Sequence, residues 1–197
     1  MVRIQGWGSD EPVFKKVIDD VKPKTIIEVG SWKGASAVHM ASLCDATIYC
    51  VDTWLGDMVN WERMDGGVNP ESHLPLNSIG YPAVFDEFHK NIEEYRHRIF
   101  PVIMTSWQGA FYLYKKKVFA DLIYIDASHY FMEVLRDAEV YWDLLNEGGV
   151  MMFDDYQFSL WVEVKKAVDI FMKEKNLVGE CIDRKMVIRK SKRGEQD

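Results

Sequence analysis

The sequence predicts an α/β fold: a mostly parallel sheet with helices on both faces and an antiparallel hairpin at its C-terminal end. Short apolar runs alternate along the chain with stretches whose apolar residues recur every three or four positions. These are the patterns of buried strands and of amphipathic helices, and their alternation is typical of a parallel sheet. Only Asp183 and Arg184 separate the last two apolar runs, which is the spacing of a hairpin.

The first half of the chain predicts two strands and three helices. Each strand is a short apolar run, and each helix shows a one-sided apolar face. The elements are a helix that starts at 9–12 and carries Phe14, Val17, Ile18 and Val21, a strand at 25–29, a helix at 34–44, a strand at 47–51, and a helix marked by Phe85, Phe88, Ile92 and Tyr95.

Residues 54–82 interrupt this alternation with glycines, prolines and aromatic residues that include Trp54, Trp61 and Tyr81. A loop of this length is uncommon unless it is functional or disordered. We therefore expect an inserted lid or substrate loop whose aromatic rings contact the substrate. Packing of the same rings into the core is the alternative.

The second half predicts three further parallel strands, three helices and the closing hairpin. The elements are a strand at 99–104, a helix at 107–117, a strand at 121–126, a helical stripe from 131 to 145 that stops at 147–149, a strand at 150–153, a helix at 161–171, and hairpin strands at 178–182 and 185–188. The charged residues from Arg189 onward predict an unstructured tail.

Length and composition are those of one globular domain. The chain has 197 residues, of which 48% are hydrophobic and 28% charged, with a formal net charge of −7. We expect a single domain over 1–190 and a charged, disordered tail over 191–197. The negative charge argues against nucleic-acid and anionic-membrane binding, and no apolar run reaches the roughly 20 residues of a membrane span.

The three cysteines Cys44, Cys50 and Cys181 have no metal-binding spacing. A sparse, odd set of cysteines fits a reducing compartment, where they serve as small buried hydrophobes. The first residues also lack the apolar region of a secretory signal. Together these features predict a cytoplasmic protein.

A glycine-containing loop follows the first predicted strand and opens a helix; Glu28 lies near the end of that strand, and Gly30, Ser31, Gly34 and Ser36 follow it. Such a loop lets a ligand approach the backbone, and the helix start offers free N–H groups. Asp52 ends the next strand, where its carboxylate could hold the two hydroxyls of a ribose. The alternative is a glycine turn with no ligand.

Three carboxylates, those of Asp126, Asp154 and Asp155, follow the predicted strands 121–126 and 150–153. Ligands of open α/β sheets bind at the carboxyl ends of the strands, and unpaired acids there would repel one another. A hard divalent cation such as Mg²⁺ would relieve that repulsion. Because adjacent acids point to opposite sides of a strand, one of the pair 154–155 is expected to be the weaker ligand. The alternative is helix capping, by Asp126 or Ser128 for one helix and by Asp155 for the next.

His129 lies three residues after the first of these acids. An imidazole with an ordinary pKa near 6.5 can accept the proton of a bound hydroxyl, so His129 is the candidate general base. A surface or capping histidine is the alternative.

With these residues in view, the stretch from about 25 to 189 resembles the class I S-adenosylmethionine-dependent methyltransferases. IIEVGSWKGAS resembles their first motif, IYCVDTWLGD their second, and DLIYIDASHY with LNEGGVMMFDDY their fourth and fifth. The resemblance is greatest to the metal-dependent O-methyltransferases that modify sugars, and catechol-type enzymes share the metal arrangement. It implies a Rossmann-like, seven-stranded sheet.

The resemblance also assigns roles to residues. It implies that Glu28, Gly30 and Ser31 line the methionine part of S-adenosylmethionine, that Asp52 binds the ribose, that Thr53 and Trp54 lie beside the adenine, and that Ser106 and Trp107 close over it. It places a divalent cation, Mg²⁺ by expectation, on Asp126, Asp154 and Asp155, with Asp126 also at the cofactor and His129 as the base. The sequence departs from many relatives in having no acid after the third strand to meet the adenine amino group.

The implied activity is methyl transfer to a hydroxyl of a sugar, for example a deoxyhexose such as rhamnose, free or within a glycan. A catechol or phenol O-methyltransferase is the first alternative, although these enzymes carry lysine at the position of His129. A nicotinamide dehydrogenase is disfavoured by the missing GxGxxG motif, and a non-catalytic cofactor-binding module by the complete acid and histidine set. The expected partners are a small-molecule or glycan sugar, and either a larger glycan-building protein or a second copy of the chain.

Overall fold

A seven-stranded sheet forms the centre of the computed structural model, which describes residues 4–6, 9–56 and 74–192. The strands lie in the order β3-β2-β1-β4-β5-β7-β6. They are β1 Thr25–Val29, β2 Thr47–Asp52, β3 Ile99–Ile103, β4 Ala120–Ile125, β5 Leu145–Phe153, β6 Gly179–Ile182 and β7 Lys185–Arg189. The first five strands are parallel, whereas β7 pairs antiparallel with β5 and with β6. The predicted fold class is confirmed.

Six α-helices cover the two faces of the sheet within the described residues. They are α1 Pro12–Val21, α2 Ala35–Leu43, α3 Val84–Asn91, α4 Ser106–Lys115, α5 Phe131–Trp142 and α6 Val162–Glu174. The apolar sides of α1, α2 and α3 pack in one core cluster, and those of α4, α5 and α6 pack in another. The fold is therefore a three-layer α/β/α arrangement, as right-handed crossovers between parallel strands require.

The closing hairpin turns on Asp183 and Arg184, whose φ angles are 49° and 67°. Two consecutive left-handed residues match the twist of antiparallel strands and make the tightest hairpin turn. The pairing of Phe153 with Met186 then brings the start of β7 beside the end of β5. Lys185 thereby reaches the edge where the predicted acids lie.

Two boundaries differ from the sequence expectation. Helix α5 ends at Trp142 and β5 begins at Leu145. Leu145, which the sequence pattern placed on the helix, pairs with Ala120 and is part of the sheet. An irregular register between Ala120 and Leu122 lets the strand include Gly148, whose φ is +78°. At the C-terminal end, Arg189 pairs with Val150, so the first residue of the expected tail is part of β7. Residues 193–197 lie outside the described part of the chain.

The expected loop at 54–82 is described only at its two ends, because 57–73, including Trp61, fall outside the described residues. Trp54 is 2% exposed and packs against Phe85 and Phe88, with ring centroids 5.0 and 4.7 Å away. For Trp54, the core-packing alternative is therefore the one the structure adopts. Tyr81 is 65% exposed.

The parallel strands all end at one edge of the sheet. Gly30, Asp52, Asp126 and Asp154 each directly follow or end a strand there. No helix within the described ranges combines the length and apolar character needed to cross a membrane. All three cysteines are unpaired; Cys50 is buried, and Cys44 and Cys181 are partly exposed.

Candidate active site

The loop between β1 and α2 turns at two glycines with left-handed backbone. Gly30 has φ +86° and Gly34 has φ +82°, a region that other residues enter at a cost. A Cβ on Gly30 would lie 2.1 Å from the carbonyl oxygen of Asp126, and a Cβ on Gly34 would lie 2.9 Å from the ring of Phe88. The loop therefore packs directly against the end of β4, and only glycine fits at position 30.

Glu28 is fully buried beneath this loop. Its carboxylate accepts hydrogen bonds from the hydroxyls of Ser31 and Ser36 and a longer one, 3.4 Å, from the Cys50 thiol. Burial raises the pKa of Glu28, and the hydrogen bonds from the two serines oppose that rise. Glu28 thus ties both ends of the loop together from below. Its role along the cofactor stays a prediction.

Asp52, at the end of β2, accepts three backbone hydrogen bonds. Its Oδ2 receives the N–H groups of Ser31 and Trp32 at 3.0 and 2.8 Å, and its Oδ1 receives that of Trp54 at 2.7 Å. Burial raises the pKa of Asp52, while these amides favour its charged form. The carboxylate therefore joins the glycine loop to the segment after β2. Binding of a ribose by Asp52 stays a prediction.

The residues after β3 are held by helix α5. Ser106 donates its hydroxyl to Asp137, and its carbonyl accepts a 2.7 Å hydrogen bond from the Tyr141 hydroxyl. Asp137 is 2% exposed, and burial raises its pKa to about 7. Trp107 follows on the exposed side of α4 at 52% exposure. Thr53 lies beside Asp52, and its hydroxyl accepts the N–H of Leu55 at 3.2 Å.

The ends of β4 and β5 bring Asp126, His129 and Asp155 together. One ligand atom from each lies within 4.8 Å of the other two, and Nε2 of His129 is 3.0 Å from Oδ2 of Asp155. The imidazole stacks on Trp161, with ring centroids 4.3 Å apart. Among the described residues, Nδ1 of His129 is a buried side-chain atom with no hydrogen-bond partner.

Asp154 is not among the three residues whose ligand atoms lie within 4.8 Å of one another, but the Tyr124 hydroxyl, 3.3 Å from Oδ2 of Asp126, links it to this cluster. Its Oδ1 accepts a 2.8 Å hydrogen bond from the Lys185 ammonium, and its Oδ2 accepts a 2.7 Å one from the Tyr124 hydroxyl. Asp155 has a left-handed backbone with φ 53° and contacts His129, so the two acids have different partners. Adjacent acids at a strand end separate in this way, as the alternation of side chains predicts.

The capping alternative fails for both acids. Helices α5 and α6 begin after Tyr130 and Trp161, and neither N-cap makes a side-chain capping bond. The first N–H of α5, that of Phe131, instead bonds to the carboxylate of Glu163 at 2.9 Å. Only Ser128 plays part of the expected role, since its hydroxyl accepts the N–H of Tyr130 at 3.2 Å.

The donor set fits a hard divalent cation. Burial, followed by the charges of Asp154 and Asp155, raises the pKa of Asp126 well above its usual range. A cation would relieve both effects, because it replaces lost hydration and neutralises the repulsion. Ligand atoms of an octahedral ion with bonds of about 2.1 Å lie about 3 to 4 Å apart, and the three ligand atoms here all lie within 4.8 Å of one another.

Sequence reasoning missed Tyr124, Asp137 and Lys185. Tyr124 and Lys185 sit inside strands, where a lone polar residue in an apolar run is the only available signal. Asp137 interrupts the apolar face of α5, and this interruption is the corresponding signal in the sequence. Tyr124 lies within the quoted motif DLIYIDASHY, whereas Asp137 and Lys185 belong to none of the quoted motifs. All three were missed because each acts through a partner that is distant in sequence.

The model of a protein family described as a methyltransferase domain matches residues 27–156, which include all the loop and cluster residues above. The uncharacterized protein R132 of Acanthamoeba polyphaga mimivirus is 33% identical over 67 residues, or 34% of this chain and 26% of that protein. The match thus spans about a quarter of that relative.

Two solved structures show the same fold over most of both chains. An O-methyltransferase from Bacillus cereus in complex with SAH has 12% identity and a TM-score of 0.66, with 96% of this chain and 84% of that one covered. CalS11, a calicheamicin methyltransferase, has 17% identity and a TM-score of 0.62, with 90% and 76% covered. At these identities the likeness concerns the fold.

Proposed function

Because this chain belongs to the methyltransferase domain family, we propose that it is a metal-dependent O-methyltransferase. It transfers the methyl group of S-adenosylmethionine to a hydroxyl of a sugar that carries two adjacent hydroxyls, such as a deoxyhexose. The contact between Gly30 and Asp126 carries the proposal. The glycine loop and the acid cluster meet at that point, so a donor held by the loop lies next to an acceptor held by the cluster.

The glycine loop and Asp52 are assigned to the methyl donor. Ser31 and Trp32 present their N–H groups to the Asp52 carboxylate, which fixes the loop at the carboxyl edge of β1 and β2. Ser106 and Trp107 extend the same edge beyond β3. In-line displacement at a sulfonium requires mainly that donor and acceptor are correctly placed. The loop is held from below by the buried Glu28, so it can hold the methyl donor in one position.

Asp126 and Asp155 are assigned to the cation and His129 to the proton. When bound, the divalent cation supplies Lewis-acid chemistry that lowers the pKa of the acceptor hydroxyl. His129 accepts the hydroxyl proton, and the Asp155 carboxylate, 3.0 Å from Nε2 of His129, stabilises the resulting imidazolium. Proton transfer to a positioned base contributes about 10²- to 10⁴-fold in rate.

The first test is calorimetric titration of the protein with S-adenosylhomocysteine, with NAD as the control ligand. We expect binding of the first and none of the second. Methyl transfer is then measured with rhamnose and methyl rhamnosides, and with catechol as the competing acceptor, in Mg²⁺, in Mn²⁺ and after EDTA treatment. Transfer to the diol-bearing sugars that EDTA abolishes supports the proposal. Equal rates with and without EDTA contradict the role of the cation, and transfer to catechol alone contradicts the sugar.

A further inference from the structure

Ser106, the first residue of helix α4, gives its hydroxyl proton to a buried acid. The hydroxyl donates to Oδ1 of Asp137, a residue of α5 that is 2% exposed. The carbonyl oxygen of Ser106 accepts a 2.7 Å hydrogen bond from the hydroxyl of Tyr141, which lies one turn further along α5. Two side chains of α5 therefore fix both the hydroxyl and the backbone of Ser106.

Burial of the Asp137 carboxylate is unfavourable. It raises the pKa of Asp137 to about 7, and the hydrogen bond from Ser106 only partly opposes that rise. An apolar side chain at this place would carry no such cost. Proteins depart from the rules of core composition mainly at functional sites, so the cost points to a function for the contact with Ser106.

The order of the strands places Ser106 at the end of the donor site that is remote from the acid cluster. The cluster follows β4 and β5, the glycine loop follows β1, Asp52 ends β2, and β3 lies beyond β2 and leads into Ser106. With the methyl group beside the contact between Gly30 and Asp126, the nucleoside part of the donor extends over β2 toward β3. Neighbouring strands are about 4.8 Å apart, so the purine base reaches the end of β3.

The Ser106 oxygen is left as a hydrogen-bond acceptor. A serine hydroxyl has one proton and two lone pairs, and here the proton is directed to Asp137. An oxygen in this state is complementary to an amino group, which donates protons. Ser106 is partly exposed whereas Asp137 is buried, so a ligand can reach the serine oxygen but not the acid behind it.

We propose that Asp137 is a positioning residue for adenine recognition: it holds the Ser106 hydroxyl proton, so that the Ser106 oxygen accepts a hydrogen bond from the adenine amino group. The chain has no acidic residue from the end of β3 to the end of α4, and the serine backed by a buried aspartate supplies the acceptor instead. Hydrogen bonds in such a chain polarise one another. The inference rests on the proposed function, since it presupposes S-adenosylmethionine as the donor.

Two ligands that differ only in the amino group test this role without any turnover. S-adenosylhomocysteine and its analogue with hydrogen in place of the adenine amino group are titrated calorimetrically at pH 8.5, where Asp137, with a pKa of about 7, is ionised. Wild type is expected to prefer S-adenosylhomocysteine by tenfold or more. Ser106→Ala and Asp137→Ala should reduce that preference below threefold. Asp137→Asn keeps only a neutral acceptor and should give an intermediate value.

Asp143→Ala is the matched control, because it removes an exposed acid from the end of the same helix and should keep the wild-type preference. A merely structural role of Asp137 would weaken both ligands equally and leave the preference unchanged, which would overturn the inference. If Asp137→Ala does not fold, the same criterion applies to Asp137→Asn.

The wild-type titrations separate this inference from the proposed function. Equal binding of the two ligands would overturn the role of Ser106 and Asp137 while leaving the methyl donor in place. Wild-type protein that binds neither ligand would instead remove S-adenosylmethionine from the proposed function itself.

Discussion

The Nε2 atom of His129 lies 3.0 Å from Oδ2 of Asp155, although 26 residues separate the two in the chain. The two side chains follow neighbouring strands, β4 and β5, whose carboxyl ends meet at one edge of the sheet. The ring of Trp161 packs against the imidazole, with ring centroids 4.3 Å apart. This pairing places the imidazole, as a proton acceptor, next to a carboxylate that can stabilise the imidazolium.

Replacement of His129 by glutamine should lower methyl transfer by about 10²- to 10⁴-fold, because the proton acceptor is lost. Affinity for S-adenosylhomocysteine should stay within about threefold of wild type, since His129 is not among the loop contacts. Turnover and calorimetric affinity are measured side by side, with the exposed His97→Gln as the control. Wild-type turnover in His129→Gln would exclude it as the base.

Replacement of Gly30 by alanine should destabilise the fold by about 3 kcal/mol or more and abolish S-adenosylhomocysteine binding. The added Cβ would lie 2.1 Å from the Asp126 carbonyl oxygen, so the loop or the end of β4 must move. Gly80→Ala is the control, because Gly80 also has a left-handed φ of +84° but has no atom within 4 Å of the added Cβ. It should cost only about 1 kcal/mol. Urea unfolding of both variants measures the difference, and equal costs would show that the contact with Asp126 is unimportant.

Replacement of Asp52 by asparagine should weaken S-adenosylhomocysteine binding by about 10- to 100-fold. An asparagine side chain has one acceptor oxygen, and its NH₂ group would face a backbone N–H now bonded to the carboxylate. Hydrogen bonds to a charged group contribute about 1.5 to 3 kcal/mol each. Calorimetry gives the affinity, and the exposed Asp45→Asn serves as the control. Undiminished affinity would remove Asp52 from the donor site.

Asp137 should make the protein less stable as the pH rises. Its pKa is about 7 in the folded state because of burial, compared with 3.8 for an ordinary aspartate. The folded state therefore holds the proton through this interval while the unfolded chain releases it. The stabilisation is complete below about pH 4 and is lost as the pH rises through about 7, a total of about 4 kcal/mol.

Urea unfolding of wild type and Asp137→Asn at several pH values between 5 and 8 measures this effect. The free energy of unfolding of the variant should fall less steeply with pH than that of wild type. The exposed Asp143→Asn, at the end of the same helix, should follow the wild-type curve. Parallel curves for wild type and Asp137→Asn would show that Asp137 is already ionised at low pH.

Sequence by itself determined the fold class and the edge on which the site lies. Alternation of apolar periods required parallel strands with helical crossovers, and parallel strands end together, so Gly30, Asp52, Asp126 and the pair 154–155 had to lie near one another. The β1–α2 loop could also be predicted from the sequence, because its strand, its glycine and its helix follow one another directly in the chain. Local pattern and chain direction were sufficient for these features.

The tertiary structure alone decided which acid faces which partner. Asp154 and Asp155 are adjacent and chemically identical, and the sequence gives no reason to choose between them. The choice depends on the left-handed backbone at Asp155 and on Lys185, which β7 brings in from 31 residues away. Ser106 likewise depends on Asp137 and Tyr141, which lie on another helix. Such pairings depend on distances across the folded chain, because charge and hydrogen bonding act through space and not along the sequence.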